Sequence, residues 1–367
     1  MKKRTLMKKV CVFAMLCVLT MTMFMEPTFA AGPFDTERNA ACQRMKEMSE
    51  MEWNLNNTLH YCYGVDDNGN LNPKTAITLF KYQGGESKNG LITRKGIPYT
   101  QVDREHSFPS NVFELKYGTK TLSYDGKTYR SIFGTDCASS VAYAWRKGTG
   151  KNLDPDFLKT TTGKIYRTKN MFADGILAST AYNSRNYLML VGKYGEYFNE
   201  RTKANSTKDV VEGLSRATNY SQNEPGQVVY NDINSKVYAA MKRGDALLYR
   251  NTEKSVGHVR LVTNVHVEYY DELRNGLKVV NPEKSYVDCI EQAGFRKTNS
   301  NWSTSWIPNI EDGGSKYTGR YTFRQLAGLD DSPLINDPKR NATDDVDGYN
   351  RRYVPIKLNV WNETPKE

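Results

Sequence analysis

The stretch GTDCASSVAYAWRKG, residues 134–148, places a cysteine at the start of a predicted helix. Four of its residues, Cys137, Val141, Ala144 and Trp145, recur at i, i+4, i+7 and i+8, so the thiol and the apolar side chains share one helical face. Because an apolar helical face must be buried against another element, we expect the cysteine to lie where the helix packs.

The residues before the cysteine favour a helix start. Thr135 can cap the helix, and Asp136 suits its first turn. Cys137 then lies among unpaired backbone N–H groups at the positive end of the helix dipole, where a thiolate is stabilised and the thiol pKa is lowered. The stretch alone fits a buried, inert cysteine as well as a nucleophile, so the nucleophile hypothesis needs a nearby base.

A candidate base lies in RGDALLYRNTEKSVGHVRLVTNV, residues 243–265, which predicts two strands joined by a turn. The second strand opens with Gly257 and His258, and the glycine permits a close backbone approach to the helix. We expect the Cys137 sulfur to lie within about 4 Å of a His258 ring nitrogen. His60 and His106 lack the spacing of metal ligands, so no metal or organic cofactor is expected.

The imidazole needs an orienting partner, which the next β-rich run, YVDCIEQAG at residues 286–294, can supply. Glu291 is the first candidate, with Gln292 and Asn281 as alternatives. Strand alternation directs Glu291 and Gln292 to opposite faces, so only one of them can turn towards His258.

The rest of the chain indicates an α+β fold in which the cysteine-bearing helix packs on an antiparallel sheet, because helices dominate early and strands late. An N-terminal helix begins near Thr36 and carries a methionine-rich apolar face that extends to Trp53. A hairpin is predicted around Asp125 and Gly126. Further helices are predicted in three segments: 184–198, 206–217 and 231–245, the last ending at Gly244.

Taken together, these segments resemble the NlpC-type papain-like cysteine hydrolases of bacterial cell walls. The matching segments are GIPYTQ (96–101), DCASSVAYAW (136–145), GDALLY (244–249), GHVRLVTNV (257–265) and IEQAG (290–294). The resemblance implies a papain-like fold with Cys137 as nucleophile, His258 as base and Glu291 as orienter. Tyr99, Asp136 and Gln292 are then supporting residues, with Tyr99 near the nucleophile.

The chain departs from the family pattern in several places. The Trp-Gly-Gly that usually follows Pro-Tyr is absent, DCAS replaces DCSG, and the third position is Glu or Gln where histidine is common. Long inserts separate the motifs.

We expect residues 31–367 to form a single papain-like hydrolase domain with an insertion at about 147–235, which packs around the core and lines the cleft.

The N-terminus has the pattern of a secretory signal peptide. A basic cluster precedes an apolar run from Val10 to Met25, and Thr28 and Ala30 flank Phe29 at a small-residue cleavage site. We expect residues 1–30 to be removed near Ala30, giving a secreted or cell-wall associated bacterial protein without stable membrane insertion. The apolar run is shorter than the roughly 20 residues of a spanning helix.

The net charge bears on the choice of partners, and the cysteine count bears on disulfide bonds. Residues 1–30 carry five Lys/Arg and one Glu, so about +6 of the formal +10 stays with the exported chain. No Lys/Arg stripe alternates with aromatic residues, so nucleic acid is not an expected partner. The four remaining cysteines are too few for a disulfide scaffold. Cys42 and Cys62 can pair in an oxidising compartment, an alternative the sequence leaves open.

The sequence therefore predicts a monomeric exported cysteine hydrolase that cleaves amide bonds, in peptidoglycan or another cell-wall peptide, through a Cys137 thioester. Two alternatives remain. One is a non-enzymatic cell-wall or surface binding protein on the same fold, and the other is an acyl or amide-group transferase that uses the same thiol.

Overall fold

In the computed structural model, the cysteine-bearing helix packs against an antiparallel sheet built mostly from the second half of the chain. The structure describes residues 32–56, 62–65, 71–77, 86–88, 91–101, 104–108, 113–118, 121–124, 127–129, 134–151, 154–178, 185–192, 204–215, 219–222, 228–231, 233–270, 278–297, 303–307, 319–327 and 352–362. The expected signal peptide, residues 1–30, lies outside the described residues.

The helices of the described residues, numbered in chain order, are α1 (Asp35–Glu50), α2 (Cys137–Gly148), α3 (Thr168–Gly175), α4 (Thr207–Ser215), α5 (Ile233–Ala239) and α6 (Phe323–Leu326), with a 3-10 turn at Asn359–Trp361. The strands of the first half are β1 (Glu52–Asn56), β2 (Cys62–Val65), β3 (Leu71–Ile77), β4 (Glu86–Lys88), β5 (Leu91–Lys95), β6 (Phe113–Gly118), β7 (Thr121–Tyr124), β8 (Lys127–Tyr129) and β9 (Leu188–Leu190). Those of the second half are β10 (Asn219–Gln222), β11 (Val228–Asn231), β12 (Ala246–Asn251), β13 (Val256–His266), β14 (Tyr286–Lys297), β15 (Ser303–Ile307), β16 (Arg320–Thr322) and β17 (Val354–Leu358).

The central sheet has seven strands in the order β15-β14-β13-β12-β17-β9, with β16 paired to β14, and every pairing in it is antiparallel. A second sheet, β4-β5-β1-β6-β7-β8, contains one parallel pair, β1 with β6. The chain is therefore α+β, as its pattern predicts.

Helix α2 packs its apolar face on β13 and β14. Val141, Ala144 and Trp145 are fully buried, and Cys137 is 7% exposed. The indole nitrogen of Trp145 donates to the Gly244 carbonyl oxygen at 2.7 Å, which ties the helix to the turn before β12. The face predicted from the i, i+4, i+7, i+8 spacing is thus the face that the helix buries.

Several local predictions are confirmed. The N-terminal helix is α1, and the predicted helix in 206–217 is α4. Strands β7 and β8 pair antiparallel with Tyr124 opposite Lys127, as expected for a hairpin around Asp125 and Gly126.

Other predictions are wrong at the element level. Helix α1 ends at Glu50, and Trp53 lies in strand β1. The burial of Trp53 therefore comes from its place in a sheet and not from the apolar face of the helix. In the described part of the segment 184–198, residues 185–192, Leu188–Leu190 forms strand β9, because it pairs with β17 far along the chain. Helix α5 ends at Ala239, five residues before Gly244.

The part of the chain between α1 and α2 holds β1 to β8, so the simple order of helices first and strands later does not hold. Cys42 is free and buried, and its thiol donates to the Val262 carbonyl oxygen at 3.5 Å, so a Cys42–Cys62 disulfide is absent. None of the helices that the structure describes is long and apolar enough to cross a membrane.

Candidate active site

Helix α2 begins at Cys137, with Asp136 as its N-cap. The Asp136 carboxylate accepts from the Ser139 backbone N–H at 2.7 Å, and the Ser139 hydroxyl accepts from the Asp136 N–H at 2.8 Å. The prediction that Thr135 caps the helix is wrong, because the reciprocal capping box forms one residue later. Cys137 is therefore the first helical residue.

The segment that contains Tyr99 runs beside this helix start. Thr135 donates its N–H to the Pro98 carbonyl oxygen at 3.1 Å and accepts from the Thr100 N–H at 2.9 Å, so Tyr99 bridges Thr135 through the backbone. The Tyr99 side chain is half-buried, and its hydroxyl accepts from the Gln101 amide at 2.9 Å. A Cβ at Gly134 would lie 2.1 Å from the Pro98 oxygen, which explains the glycine there.

The backbone N–H groups of Val259 and Ala138 lie close enough to the Cys137 thiol to lower its pKa. Val259 follows His258 in β13, so the structure brings the helix start to the strand that carries the histidine. The distance between the sulfur and the imidazole stays a prediction.

Burial, and after it the neighbouring Asp136 carboxylate, raises the pKa of the Cys137 thiol to about 12. The Val259 N–H, the Arg104 guanidinium and the Ala138 N–H act in the opposite direction but do not outweigh burial. The prediction of a lowered thiol pKa is therefore wrong, because desolvation exceeds the effect of the helix start. The resting thiol is protonated, so a base must take its proton when it attacks.

His258 and Glu291 are in direct contact. The Nε2 atom of His258 is hydrogen-bonded to the Oε2 atom of Glu291. Both side chains are buried, with Glu291 only 1% exposed. Since Nε2 faces the carboxylate, Nδ1 is the ring nitrogen that can serve Cys137.

The two alternatives to Glu291 lie elsewhere. Gln292 turns to the opposite face of β14, where its Oε1 accepts from the Thr135 hydroxyl at 2.7 Å and its Nε2 donates to the Ile97 carbonyl oxygen at 2.9 Å. Asn281 closes a turn, because its Oδ1 accepts from the N–H groups of Glu283 and Lys284 at 3.1 and 3.3 Å. Gln292 thus braces the segment beside the helix start and does not contact the imidazole through these bonds.

Sequence reasoning missed two residues that contact Glu291. The Arg260 Nε atom lies 3.4 Å from Glu291 Oε2, and the Tyr321 hydroxyl donates to Glu291 Oε1. Arg260 shares strand parity with His258, and an arginine among the buried residues of β13 is the signal that could have drawn attention to it. Tyr321 gives no such signal, because β16 reaches β14 only through tertiary pairing.

Arg104 is a third missed residue. Its Nη1 atom lies 3.1 Å from the Asp136 Oδ1 atom and donates to the Tyr166 carbonyl oxygen at 3.0 Å, while Nη2 donates to the Ile165 carbonyl oxygen. Arg104 therefore ties the N-cap to the segment before α3.

Gly257 makes the expected close approach, but with a different helix. A Cβ at this position would lie 2.5 Å from the Thr168 Oγ1 atom and 3.0 Å from the Tyr249 carbonyl oxygen. Thr168 is the first residue of α3, so it is the start of α3 that presses against the strand beside His258. The predicted insertion, residues 147–235, therefore reaches the candidate site at Thr168.

Among the described residues, no group of three or more His, Cys, Asp or Glu side chains could hold a metal ion. No protein-family model matches the chain, and neither the curated proteins nor the solved structures with which it was compared include a match.

Proposed function

We propose that this chain is an exported papain-like cysteine hydrolase that cleaves amide bonds in peptidoglycan peptides. The observation that supports the proposal is the set of contacts around α2. The Val259 N–H lies close enough to the Cys137 thiol to lower its pKa, and the preceding residue, His258, is hydrogen-bonded to buried Glu291. A thiol, a base and an orienting carboxylate are the three parts of a nucleophilic amide-cleaving site.

In the proposed acylation, the Cys137 sulfur attacks the carbonyl carbon of the amide, and its proton passes to Nδ1 of His258. The backbone N–H of Cys137, which has no partner within the helix at this first position, donates to the developing oxyanion. The tetrahedral intermediate then collapses: the carbon–nitrogen bond breaks, His258 returns the proton to the amine, and a thioester remains on Cys137.

In the proposed deacylation, His258 takes a proton from water as the water oxygen attacks the thioester. The carbon–sulfur bond breaks, the carboxylic acid leaves, and the thiol is regenerated. Glu291 stabilises the imidazolium that forms in both steps.

Peptidoglycan peptides are the proposed substrate for two reasons. The N-terminal pattern predicts export, and the motifs resemble those of hydrolases that act on bacterial cell walls. A papain-like arrangement is part of the same proposal, supported by a cysteine at a helix start that packs on an antiparallel sheet.

Acyl transfer is a second candidate, favoured by the low exposure of the site. Cys137 and His258 are only 7% and 8% exposed. A thioester formed there is shielded from water, so an amine bound in its place can accept the acyl group.

The proposal is tested by incubating purified peptidoglycan fragments with the exported chain and identifying the products by mass. We expect wild type to release products that each gain one water across an amide bond, and Cys137→Ala to release none. Cys42→Ala is the matched control, because Cys42 is also a buried free thiol but lies in α1. It should retain activity.

Other outcomes separate the alternatives. Products that gain an added amine in place of water indicate a transferase. Binding of the fragments by both wild type and Cys137→Ala, without any product, indicates a cell-wall binding protein and contradicts the proposed hydrolysis.

A further inference from the structure

We propose that Arg260 and Tyr321 are positioning residues that hold Glu291 as an oriented carboxylate and thereby determine which nitrogen of His258 carries the hydrogen and which is free to accept the Cys137 proton. The inference rests on the proposed function, because it assigns both residues to the same site. It goes further by naming what keeps the third residue of that site in its working form.

The geometry holds Glu291 from both of its oxygens. The Tyr321 hydroxyl donates to Oε1, while His258 Nε2 and Arg260 Nε both lie at Oε2, the latter at 3.4 Å. The hydrogen bonds from Tyr321 and His258 therefore orient the carboxylate, and Arg260 adds an ion pair without a hydrogen bond. With the carboxyl 1% exposed, solvent cannot replace these partners when one is lost.

Arg260 is itself held in place. Its guanidinium carbon lies 3.8 Å from the ring centroid of Tyr321 and 4.2 Å from that of Tyr353, so it is stacked between two aromatic rings. Its Nη2 atom also donates to the Tyr353 hydroxyl at 2.8 Å. A planar guanidinium fixed in this way delivers a permanent positive charge to one place, which a flexible cation cannot do as well.

The charge of Arg260 matters because Glu291 can bind His258 in two ways. An ionised Glu291 can only accept, so Nε2 carries the hydrogen and Nδ1 keeps the lone pair that accepts the Cys137 proton. A protonated Glu291 can donate to Nε2, which leaves the hydrogen on Nδ1 and removes the base. Burial favours the protonated form, and a nearby cation favours the ionised one.

Among the described residues, Arg260 is the arginine that pairs with Glu291. The titratable and charged groups around it are His258 and Arg260 from β13, Tyr321 from β16 and Cys289 on its own strand. Burial raises the pKa of Tyr321 well above its ordinary value, so its hydroxyl stays a donor. Burial raises the pKa of the Cys289 thiol in the same way, so this thiol stays neutral. The positive charge that favours an ionised Glu291 therefore comes from Arg260.

The test reads the histidine directly by nitrogen NMR of the exported chain labelled with ¹⁵N-histidine, with the His258 signals assigned from His258→Gln. At a pH where the imidazole is neutral, wild type should carry its hydrogen on Nε2. In Arg260→Met the hydrogen should move largely to Nδ1, and alkylation of Cys137 by iodoacetamide, followed by peptide mass mapping at pH 8, should slow about tenfold.

Two further variants distinguish the effect of the positive charge from that of the Tyr321 hydrogen bond. Arg260→Lys keeps the charge and should restore the Nε2 hydrogen. Tyr321→Phe keeps the ring that stacks on Arg260 but removes one hydrogen bond, so alkylation should slow about threefold. If Arg260→Met does not fold, Tyr321→Phe and Arg260→Lys still decide the question.

Arg320→Met is the matched control. Arg320 is also stacked on a tyrosine, Tyr286, at 3.8 Å, and also paired with a buried carboxylate, Asp288, at 2.8 Å. It should leave the His258 hydrogen and the alkylation rate unchanged. The proposal is overturned if Arg320→Met has the same effect as Arg260→Met, if folded Arg260→Met and Tyr321→Phe both match wild type, or if wild type carries the hydrogen on Nδ1.

The NMR result does not depend on any substrate. A wild-type and variant pattern as expected, without cleavage of peptidoglycan, would leave the positioning role in place and count only against the proposed hydrolysis.

Discussion

Asp136 has two opposing effects on the residue that follows it. As N-cap it fixes the start of α2, which sets the position of Cys137. As a buried carboxylate beside the thiol it also helps to raise the pKa of Cys137 to about 12, after burial itself. A residue that positions the proposed nucleophile thus favours its protonated form, and in the proposed mechanism activation depends on His258.

We predict that Asp136→Asn lowers the pKa of Cys137. Asparagine caps a helix as well as aspartate does, so the start of α2 should be retained while the negative charge is lost. The Arg104 guanidinium, which lowers the thiol pKa, then acts without its counter-ion. A lower pKa means more thiolate at a given pH, so alkylation of Cys137 at pH 8 should speed up about tenfold if the pKa falls by about one unit.

Asp288→Asn is the control for this measurement. Asp288 is likewise buried and paired with an arginine, Arg320, yet it is not among the main groups that shift the pKa of Cys137. Its pH profile of alkylation should match wild type. An unchanged or slower rate in folded Asp136→Asn would show that the carboxylate does not act on the thiol through its charge.

At the scale of the element, the alternation of side chains along strand β14 places Glu291, a residue of the candidate site, and Gln292, a structural residue, on opposite faces. Glu291 faces His258, and its neighbour Gln292 faces Thr135 and Ile97. The same two-residue stretch therefore serves the candidate site on one face and braces the helix start on the other.

We predict opposite outcomes for the two residues of this pair. Glu291→Gln should keep the fold but slow alkylation of Cys137 at neutral pH about tenfold, because an amide orients the imidazole without stabilising its positive charge. Gln292→Ala should leave that rate nearly unchanged and lower the free energy of unfolding by about 1–3 kcal/mol, since the buried Thr135 hydroxyl loses its acceptor. Alkylation and denaturant unfolding measured on both variants check the assignment, and a reversed pattern would exchange the two roles.

Elements with a local pattern could be predicted from the sequence, and those that depend on distant partners could not. The apolar face of α2 and the opposite directions of Glu291 and Gln292 follow from periodicity alone. Strand β9 was predicted to be helical. The prediction failed because the strand is defined by its pairing with β17, which lies far along the chain and leaves no local pattern. Arg260 and Tyr321 meet at Glu291 only after β16 pairs with β14. The thiol pKa depends on burial by several elements, which no local motif reveals.

At the scale of the whole molecule, the segment at about 147–235, which the sequence predicts to be an insertion, contributes strand β9 to the central sheet. Strand β9 pairs with β17, Leu190 opposite Ile356 and Leu188 opposite Leu358. Helix α3 of the same insertion packs on β12 and β9, and its first residue, Thr168, lies against Gly257 beside His258. The insertion thus shares buried contacts with the strands that carry the candidate site.

We therefore predict that the insertion does not fold on its own and that weakening its contact with β17 destabilises the whole chain. Ile356→Ala removes a fully buried side chain that a Cβ at Gly175 would meet at 3.2 Å, and it should lower the free energy of unfolding by about 2–5 kcal/mol in one cooperative transition. Lys357→Ala, on the same strand but half-buried, should change it by less than about 0.5 kcal/mol. Limited proteolysis of wild type and of Ile356→Ala, followed by mass spectrometry, should release no stable fragment spanning 147–235. A folded fragment of that span, or a separate early unfolding transition in Ile356→Ala, would mean that the insertion is an independent domain attached to the sheet, because residues that share one core unfold together.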